Sequence, residues 1–426
     1  MSQTDEIKMG RALTNAVDNE SLARHRWYPI KEGFSATLIS DSLKELDADQ
    51  RKTALAIEPF SGSGTTPVEC SRLNVDCLAF EVNPFLAFVG RTKLRSGDRN
   101  RLHVEREAVL KGLEKPVVSP LEGWSTFCEG KGKKKWLFNR NVLRSFTGGW
   151  QAVADCNHYY RSFLRLALVR AAMENCNAYP DGKCLRYKRL KNYDCFNPEQ
   201  MVARFEHYCG MIEQDLEKEP LAGGLSRVEC RDSRALETFE QKRRFDFCVT
   251  SPPYLNSFDY SDVYRPELFL TGVVGDNDQL MRIRMRTVRS HIQADWTPPQ
   301  KDSFGSLYAK AIKELQAKQG DLWSPRILEM VQAYFEDMER LLSALAIRAN
   351  PNALLKVVVA TSAYCGVVIP VDFILAEIAE KAGWVIKDVK VVRRLRSSAQ
   401  NWKHESLANG VPALRESIVV LRSPKK

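Results

Sequence analysis

The feature that most constrains this chain is a short strand that runs straight into a glycine turn. Residues 53–57 form a brief apolar run, which predicts a buried strand. It ends in Glu58-Pro59-Phe60 and the turn Ser61-Gly62-Ser63-Gly64-Thr65-Thr66. A helix over 67–73 and a second short strand over 77–80 complete one strand–turn–helix–strand unit. A glycine turn at that place lets backbone N–H groups approach a ligand closely. The turn is not a P-loop, because no Lys follows Gly64 where one is needed. It is not the G-x-G-x-x-G fingerprint either, since Thr65-Thr66-Pro67 replaces that spacing. Glu81 closes the second strand, 17 positions after Gly64. That placement suits a carboxylate accepting hydrogen bonds from the ribose hydroxyls of a nucleoside cofactor. A structural turn beside a solvated glutamate would give the same pattern.

The strand grammar breaks off and later resumes. Residues 22–50 carry helical periodicity, with Leu38, Ile39, Leu43 and Leu46 on one face. Residues 227–230 and 245–250 predict further strands, and 325–347 a long helix. An apolar strand over 354–361 and a helix over 371–382 follow; 384–392 and 416–421 predict two strands able to pair antiparallel. Alternating short strands and helices mean an α/β sheet, mostly parallel and Rossmann-like. The expected division is 1–94 and 226–426 as two parts of one core, with 95–225 a largely helical insertion. The longest uncharged apolar stretch, 357–371, is too short to span a membrane and holds Gly366 and Pro370.

The second chemical motif is Ser251-Pro252-Pro253-Tyr254, directly after the strand 245–250. In an open parallel sheet this loop faces the same crevice as the glycine turn. Two prolines fix the backbone and remove two N–H donors, so the loop presents oxygens in a rigid frame. A hydroxyl, a proline carbonyl and an aromatic face suit a planar base with an exocyclic amine. The oxygens accept the amine hydrogens and Tyr254 stacks on the ring. A proline-rich loop with a packed aromatic is the alternative for this motif alone.

Composition narrows the partners. Of 426 residues, 63 are Lys or Arg and 53 Asp or Glu, a net charge of +10 that favours polyanions. Apolar residues at 44% and charged residues at 27% exclude a disordered or fibrous chain. The N-terminus lacks an apolar signal region, and eleven scattered Cys form no C-x-x-C pair, so a reducing cytoplasm is expected. Cys, His158 and His207 between 128 and 209 match no regular zinc spacing, so no metal is expected. Basic residues cluster at Lys133, Lys134 and Lys135 beside Trp136, at Arg186 and Arg189 beside Tyr187, and in a ladder at Arg282, Arg284, Arg286 and Arg289. These are the candidate nucleic-acid contacts; a solvated charged face is their bland alternative.

Taken together, Phe60–Thr66 and Thr250–Tyr254 resemble the S-adenosylmethionine-dependent DNA amino-methyltransferases, which methylate cytosine N4 or adenine N6. The likeness covers 20–90 and 228–422. It implies a class I methyltransferase fold, S-adenosylmethionine as cofactor and double-stranded DNA as substrate, with a cognate restriction or defence component as a further partner. His25-Arg26-Trp27-Tyr28-Pro29 and Phe34 look like the segment that closes over the methionine end of the cofactor. The resemblance places Tyr28, Glu58, Phe60, Ser61, Gly62, Gly64, Thr65, Thr66, Glu81, Asp232 and Ser233 at the cofactor. It places Ser251, Pro252, Pro253 and Tyr254 at the reacting base, with Asn256, Asp259-Tyr260 and Glu267-Leu268-Phe269 in the segment that follows. Two departures stand out. Glu58 replaces the usual Asp, and the cofactor motif precedes the catalytic loop, the reverse of many such enzymes. In this family a first-position Ser goes mostly with cytosine N4, and Asp or Asn with adenine N6. Cytosine N4 is therefore expected, with adenine N6 the alternative. An RNA methyltransferase and a non-catalytic DNA-recognition subunit are the rival readings.

Overall fold

Runs of β-branched and apolar residues, each cut short by a turn, build a central sheet. A computed structural model describes residues 13–180, 185–188, 196–238, 243–395 and 413–425. Among them, the main sheet has seven strands: β1 (Leu55–Glu58), β2 (Asp76–Phe80), β3 (Ser226–Glu229), β4 (Phe245–Thr250), β5 (Ala349–Ala360), β6 (Val385–Arg394) and β7 (Arg415–Arg422). Their spatial order is β6-β7-β5-β4-β1-β2-β3. Neighbours from β3 through β5 pair in parallel, whereas β7 runs antiparallel to both β5 and β6. This is the Rossmann-like order of class I methyltransferases, with its inserted antiparallel strand. The winding reverses between β1 and β4, and ligands bind outside the carboxyl ends of strands at such a switch point.

The helices follow from local signals. Ser35 caps α1 (Ala36–Leu43) by accepting from the Thr37 N–H, and Gly64 opens α2 (Thr65–Arg72). Asn83 caps α3 (Pro84–Lys93), and Asp98 caps α4 (Arg99–Leu113). Then come α5 (Arg140–Ala152), α6 (Arg161–Glu174), α7 (Pro198–Lys218), α8 (Asn277–Arg284), α9 (Arg326–Arg348) and α10 (Val371–Lys381). One sheet face, with Leu55, Ile57, Leu78 and Phe80, packs on α9 and α10. The opposite face, with Ala56, Cys77 and Val358, packs on Leu38, Ile39 and Leu43 of α1. This is the two-sided burial expected of a parallel sheet.

The periodic stretch 22–50 is not one helix. Short helical turns at Asp18–Glu20 and His25–Trp27 precede α1, and a separate helix covers Ala48–Thr53. Pro29 and Gly33 break the run before Ser35 restarts it. The 357–371 stretch finishes β5 and then forms the hairpin Ser362–Tyr364 with Val367–Ile369. No described helix is long and apolar enough to cross a membrane.

Residues 95–225 are mostly helical, with one small hairpin, Ala178–Pro180 against Leu185–Tyr187. Their core is shared with the sheet's own cover. Phe163, Leu164, Phe205 and Ile212 belong to the same buried cluster as Trp27, Tyr28, Phe85, Leu268 and Phe269. Asp215 on α7 accepts from the Arg24 and Trp27 N–H groups at 2.9 and 2.8 Å and from Arg26 at 2.5 Å. Helix α7 therefore holds the N-terminal segment in place through Asp215.

Candidate functional site

At the carboxyl ends of β1 and β4 lies a cleft of about 290 Å³. Glu58, the last residue of β1, sits behind its floor and is 1% exposed. One carboxylate oxygen accepts from the Phe60 N–H at 2.9 Å and from Thr250 Oγ1 at 2.5 Å; the other accepts from Thr66 Oγ1 at 2.9 Å. One side chain thereby ties the glycine turn to the residue before Ser251. The turn needs its glycines: Gly62 and Gly64 have φ of +52° and +90°, and a Cβ on Gly64 would meet the Gly90 Cα at 3.0 Å. Glu81 follows β2 and accepts from the Gly62 and Asn83 N–H groups, both at 2.8 Å. Burial pushes Glu58 and Glu81 up to about 7, against the hydrogen bonds that favour their charged forms. A buried carboxyl, Glu81, beside a turn of backbone N–H groups suits a ligand that carries hydroxyls.

The loop after β4 forms the facing wall. Ser251, Pro252, Pro253 and Tyr254 all line the cleft with Phe60, Gly62, Glu81 and Ser233. The structure thus brings the two sequence motifs together. Tyr254 donates to Glu416 Oε1 at 2.8 Å, and Arg393 donates to the same oxygen at 2.9 Å. Burial, then the Glu416 charge, pushes the Tyr254 phenol well above its usual range, so it stays a donor. Phe258 and Tyr260, edge to face at 4.5 Å, complete an aromatic wall.

Several expected residues stand elsewhere. Tyr28 is buried away from this cleft and donates to Glu267 at 2.6 Å, so it is a packing residue here. The segment after it, Ile30 to Gly33, lines the cleft instead. Asp232 is engaged by the Arg234 guanidinium at 2.7–3.1 Å and does not line the cleft, although Ser233 does. Ser61, Gly64, Thr65 and Thr66 shape the turn from behind, and the buried Ser61 hydroxyl has no partner among the described residues.

The arginine ladder divides. Arg289 is buried and bound to Asp337 and Glu336 at 2.7 and 2.6 Å, which makes it a structural tie and corrects its placement among the DNA contacts. Arg284 pairs with Asp259 at 2.7 Å. Arg282 and Arg286 are exposed, and Arg286 borders the cleft. The basic clusters of the insertion meet: Lys135 lies 5.8 Å from the Tyr187 ring centre, and Asn177 binds the Trp136 carbonyl. Lys133 donates to the Ser125 and Cys128 carbonyls, while Lys134 and Arg186 are exposed. Arg189 lies outside the described residues, as do Cys184 and Cys195.

Sequence reasoning missed Arg393 and Glu416, which come from the far edge of the sheet. The available signal was a charged pair, Arg415-Glu416, at the head of an otherwise apolar strand. It also missed the lining residues Thr14, Asn83 and Thr287, which no motif marks.

No family model matches the chain. It is similar to the Type II methyltransferase M.BsoBI of Geobacillus stearothermophilus, 24% identical over 97% of this chain and 88% of the relative. It is similar to the Type II methyltransferase M.AvaI of Nostoc sp. (strain PCC 7120), 24% identical over 98% of this chain and 90% of that one. Among solved structures, the rRNA methyltransferase aviRa from Streptomyces viridochromogenes aligns at a TM-score of 0.29 and 12% identity, covering 99% of this chain and 93% of that chain. The chain thus joins both motifs in one cleft, has the Rossmann-like strand order and is similar over nearly all its length to these two Type II methyltransferases.

Proposed function

We propose that the chain is a site-specific DNA methyltransferase that methylates the exocyclic N4 amine of cytosine. The observation that carries this reading is the meeting of Ser251–Tyr254 with the glycine turn across one cleft at the sheet's switch point. S-adenosylmethionine, when bound, supplies an electrophilic methyl group. The residues present fit such a group. The turn has left-handed glycines braced from behind by Glu58, and Glu81 stands at the end of β2 where ribose hydroxyls would reach it.

The target cytosine leaves the duplex and enters between Tyr254 and the Phe258–Tyr260 wall. Unstacking costs a few kcal/mol, offset by stacking and hydrogen bonds in the pocket. Ser251 Oγ and the Pro252 carbonyl accept the two amine hydrogens and turn the nitrogen lone pair toward the methyl group. No covalent bond between base and protein is needed, so rate acceleration comes from positioning and electrostatics. Serine at the first loop position favours cytosine N4 over adenine N6 by family resemblance. The similarity to Type II methyltransferases supports duplex DNA over RNA. The exposed Lys134, Lys135 and Arg186, with exposed Arg282 and with Arg286 at the cleft, supply positive charge for phosphates and base edges.

Ser251→Ala tests the assignment. Transfer of labelled methyl to duplex DNA should fall about 100-fold with cofactor affinity unchanged. Full turnover in that variant would contradict the role of the loop.

A further inference from the structure

The head of β7 is held on one side and turns a carboxylate to the cleft on the other. Arg415 and Ser417 grip one buried side chain, Asp372 at the start of α10. Arg415 donates two N–H groups to it at 2.8 Å each, and Ser417 Oγ donates at 2.7 Å. Side chains alternate along a strand, so Glu416 between them points the opposite way. It lines the cleft with Arg393, its register partner on β6, and is 1% exposed. Its Oε1 accepts from the Tyr254 phenol at 2.8 Å and from Arg393 at 2.9 Å. Its Oε2 has no hydrogen-bond partner among the described residues. Tyr254 is also held at its backbone end. The next carbonyl, that of Leu255, accepts from the Tyr364 phenol at 3.0 Å and from Ser362 Oγ, both on the hairpin that follows β5. A ring tied at its backbone and at its phenol has little torsional freedom left to lose when something stacks on it.

We propose that Glu416 is a positioning residue: by holding the Tyr254 phenol it fixes the ring on which the target base stacks. This rests on the base stacking proposed above. Glu416 acts through Tyr254 rather than on the base, and Arg393 and the Arg415–Asp372 pair keep it in place. The far edge of the sheet thereby sets the geometry of a loop that follows β4. Both donors share Oε1, so the tether needs one acceptor oxygen and not a second one. A glutamine keeps that oxygen and puts its amide nitrogen where Oε2 now has no partner. An alanine removes the acceptor altogether. A displaced ring leaves the base misaligned with the methyl group, and misplacement of about 1 Å can cost on the order of 100-fold in rate.

The test is single-turnover methylation of duplex DNA by the full chain, with labelled S-adenosylmethionine at saturating DNA and cofactor. Tyr254→Phe removes one oxygen and keeps the stacking ring. It should slow transfer about 30-fold and leave cofactor and DNA affinities within about twofold of wild type. Glu416→Ala should show the same loss, and the double variant should be no slower than either single one. Glu416→Gln should restore transfer to within about threefold of wild type, because its amide oxygen still accepts from both donors. Wild-type rates in Tyr254→Phe would overturn the tether. So would losses that multiply in the double variant, or a Glu416→Gln as slow as Glu416→Ala. If Glu416→Ala does not fold, Tyr254→Phe and Glu416→Gln decide: a slow phenylalanine variant beside a fast glutamine variant supports the tether, and any other pairing overturns it. A wild type that puts no label into DNA overturns the proposed function and the tether with it. An active wild type beside an unaffected Tyr254→Phe overturns the tether alone.

Discussion

The cleft and the insertion solve different problems with different materials. The cleft fixes a few atoms through rigid backbone: left-handed glycines after β1, consecutive prolines after β4, and Glu58 bonded to both loops. The insertion packs ordinary helices and places Lys134, Lys135 and Arg186 on the surface beside a small hairpin. Chemistry at a reacting centre tolerates little displacement, so few residue types can occupy each position. Binding a polyanion sums many weak, screened contacts, so charge can be spread over any exposed face. The two regions still share one buried cluster, joined where Asp215 grips Arg24, Arg26 and Trp27 ahead of the cleft-lining Ile30 to Gly33.

This contrast can be broken most sharply at Gly64. A side chain there must adopt a left-handed backbone and press on the Gly90 Cα. Gly64→Ala should cost about 2 kcal/mol in cofactor affinity, roughly 30-fold, when binding is measured by calorimetry. An unchanged affinity would mean that the turn is a structural feature only.

Next comes the seam between the two regions. Glu267 is buried beside Tyr28, and burial pushes its carboxyl up to about 7. A carboxyl raised in the folded state favours folding most below its unfolded pKa, and that contribution is lost as pH rises through about 7. Denaturant titrations should therefore show the wild type losing about 1–2 kcal/mol from this group as pH rises across that window. Glu267→Gln should be flatter over the same range. Identical pH slopes would show that the carboxyl is not buried in the free protein.

The smallest effect belongs to the insertion's surface. Replacing Lys134 and Lys135 by Ala should weaken binding to any duplex several-fold and lower the salt slope by about 2. Cofactor affinity and the chemical step on bound DNA should not change. A loss confined to one DNA sequence would instead assign these lysines to base reading.

The central sheet and both chemical loops were legible because their chemistry leaves few choices. A strand entering a glycine turn, and prolines ending the strand Phe245–Thr250, each mark a place where backbone geometry is prescribed. The bracing role of Glu58 was not legible, since its partner Thr250 is nearly two hundred positions away. Tyr28, Asp232 and Arg289 misled for one physical reason. Each has the residue type of a ligand contact but is engaged by a buried partner that only the tertiary structure supplies. Arg393 and Glu416 were not placed because strand register carries them to the cleft, and a charged pair heading an apolar strand does not say which site it faces.

The most direct measurement is the identity of the modified base. Duplex DNA incubated with the protein and S-adenosylmethionine is digested to nucleosides and separated by mass, and the modified sites are mapped by single-molecule sequencing. N4-methylcytosine confined to one short motif is the predicted result. N6-methyladenine would contradict the base assignment, and unmodified DNA alongside methylated RNA would contradict the account itself.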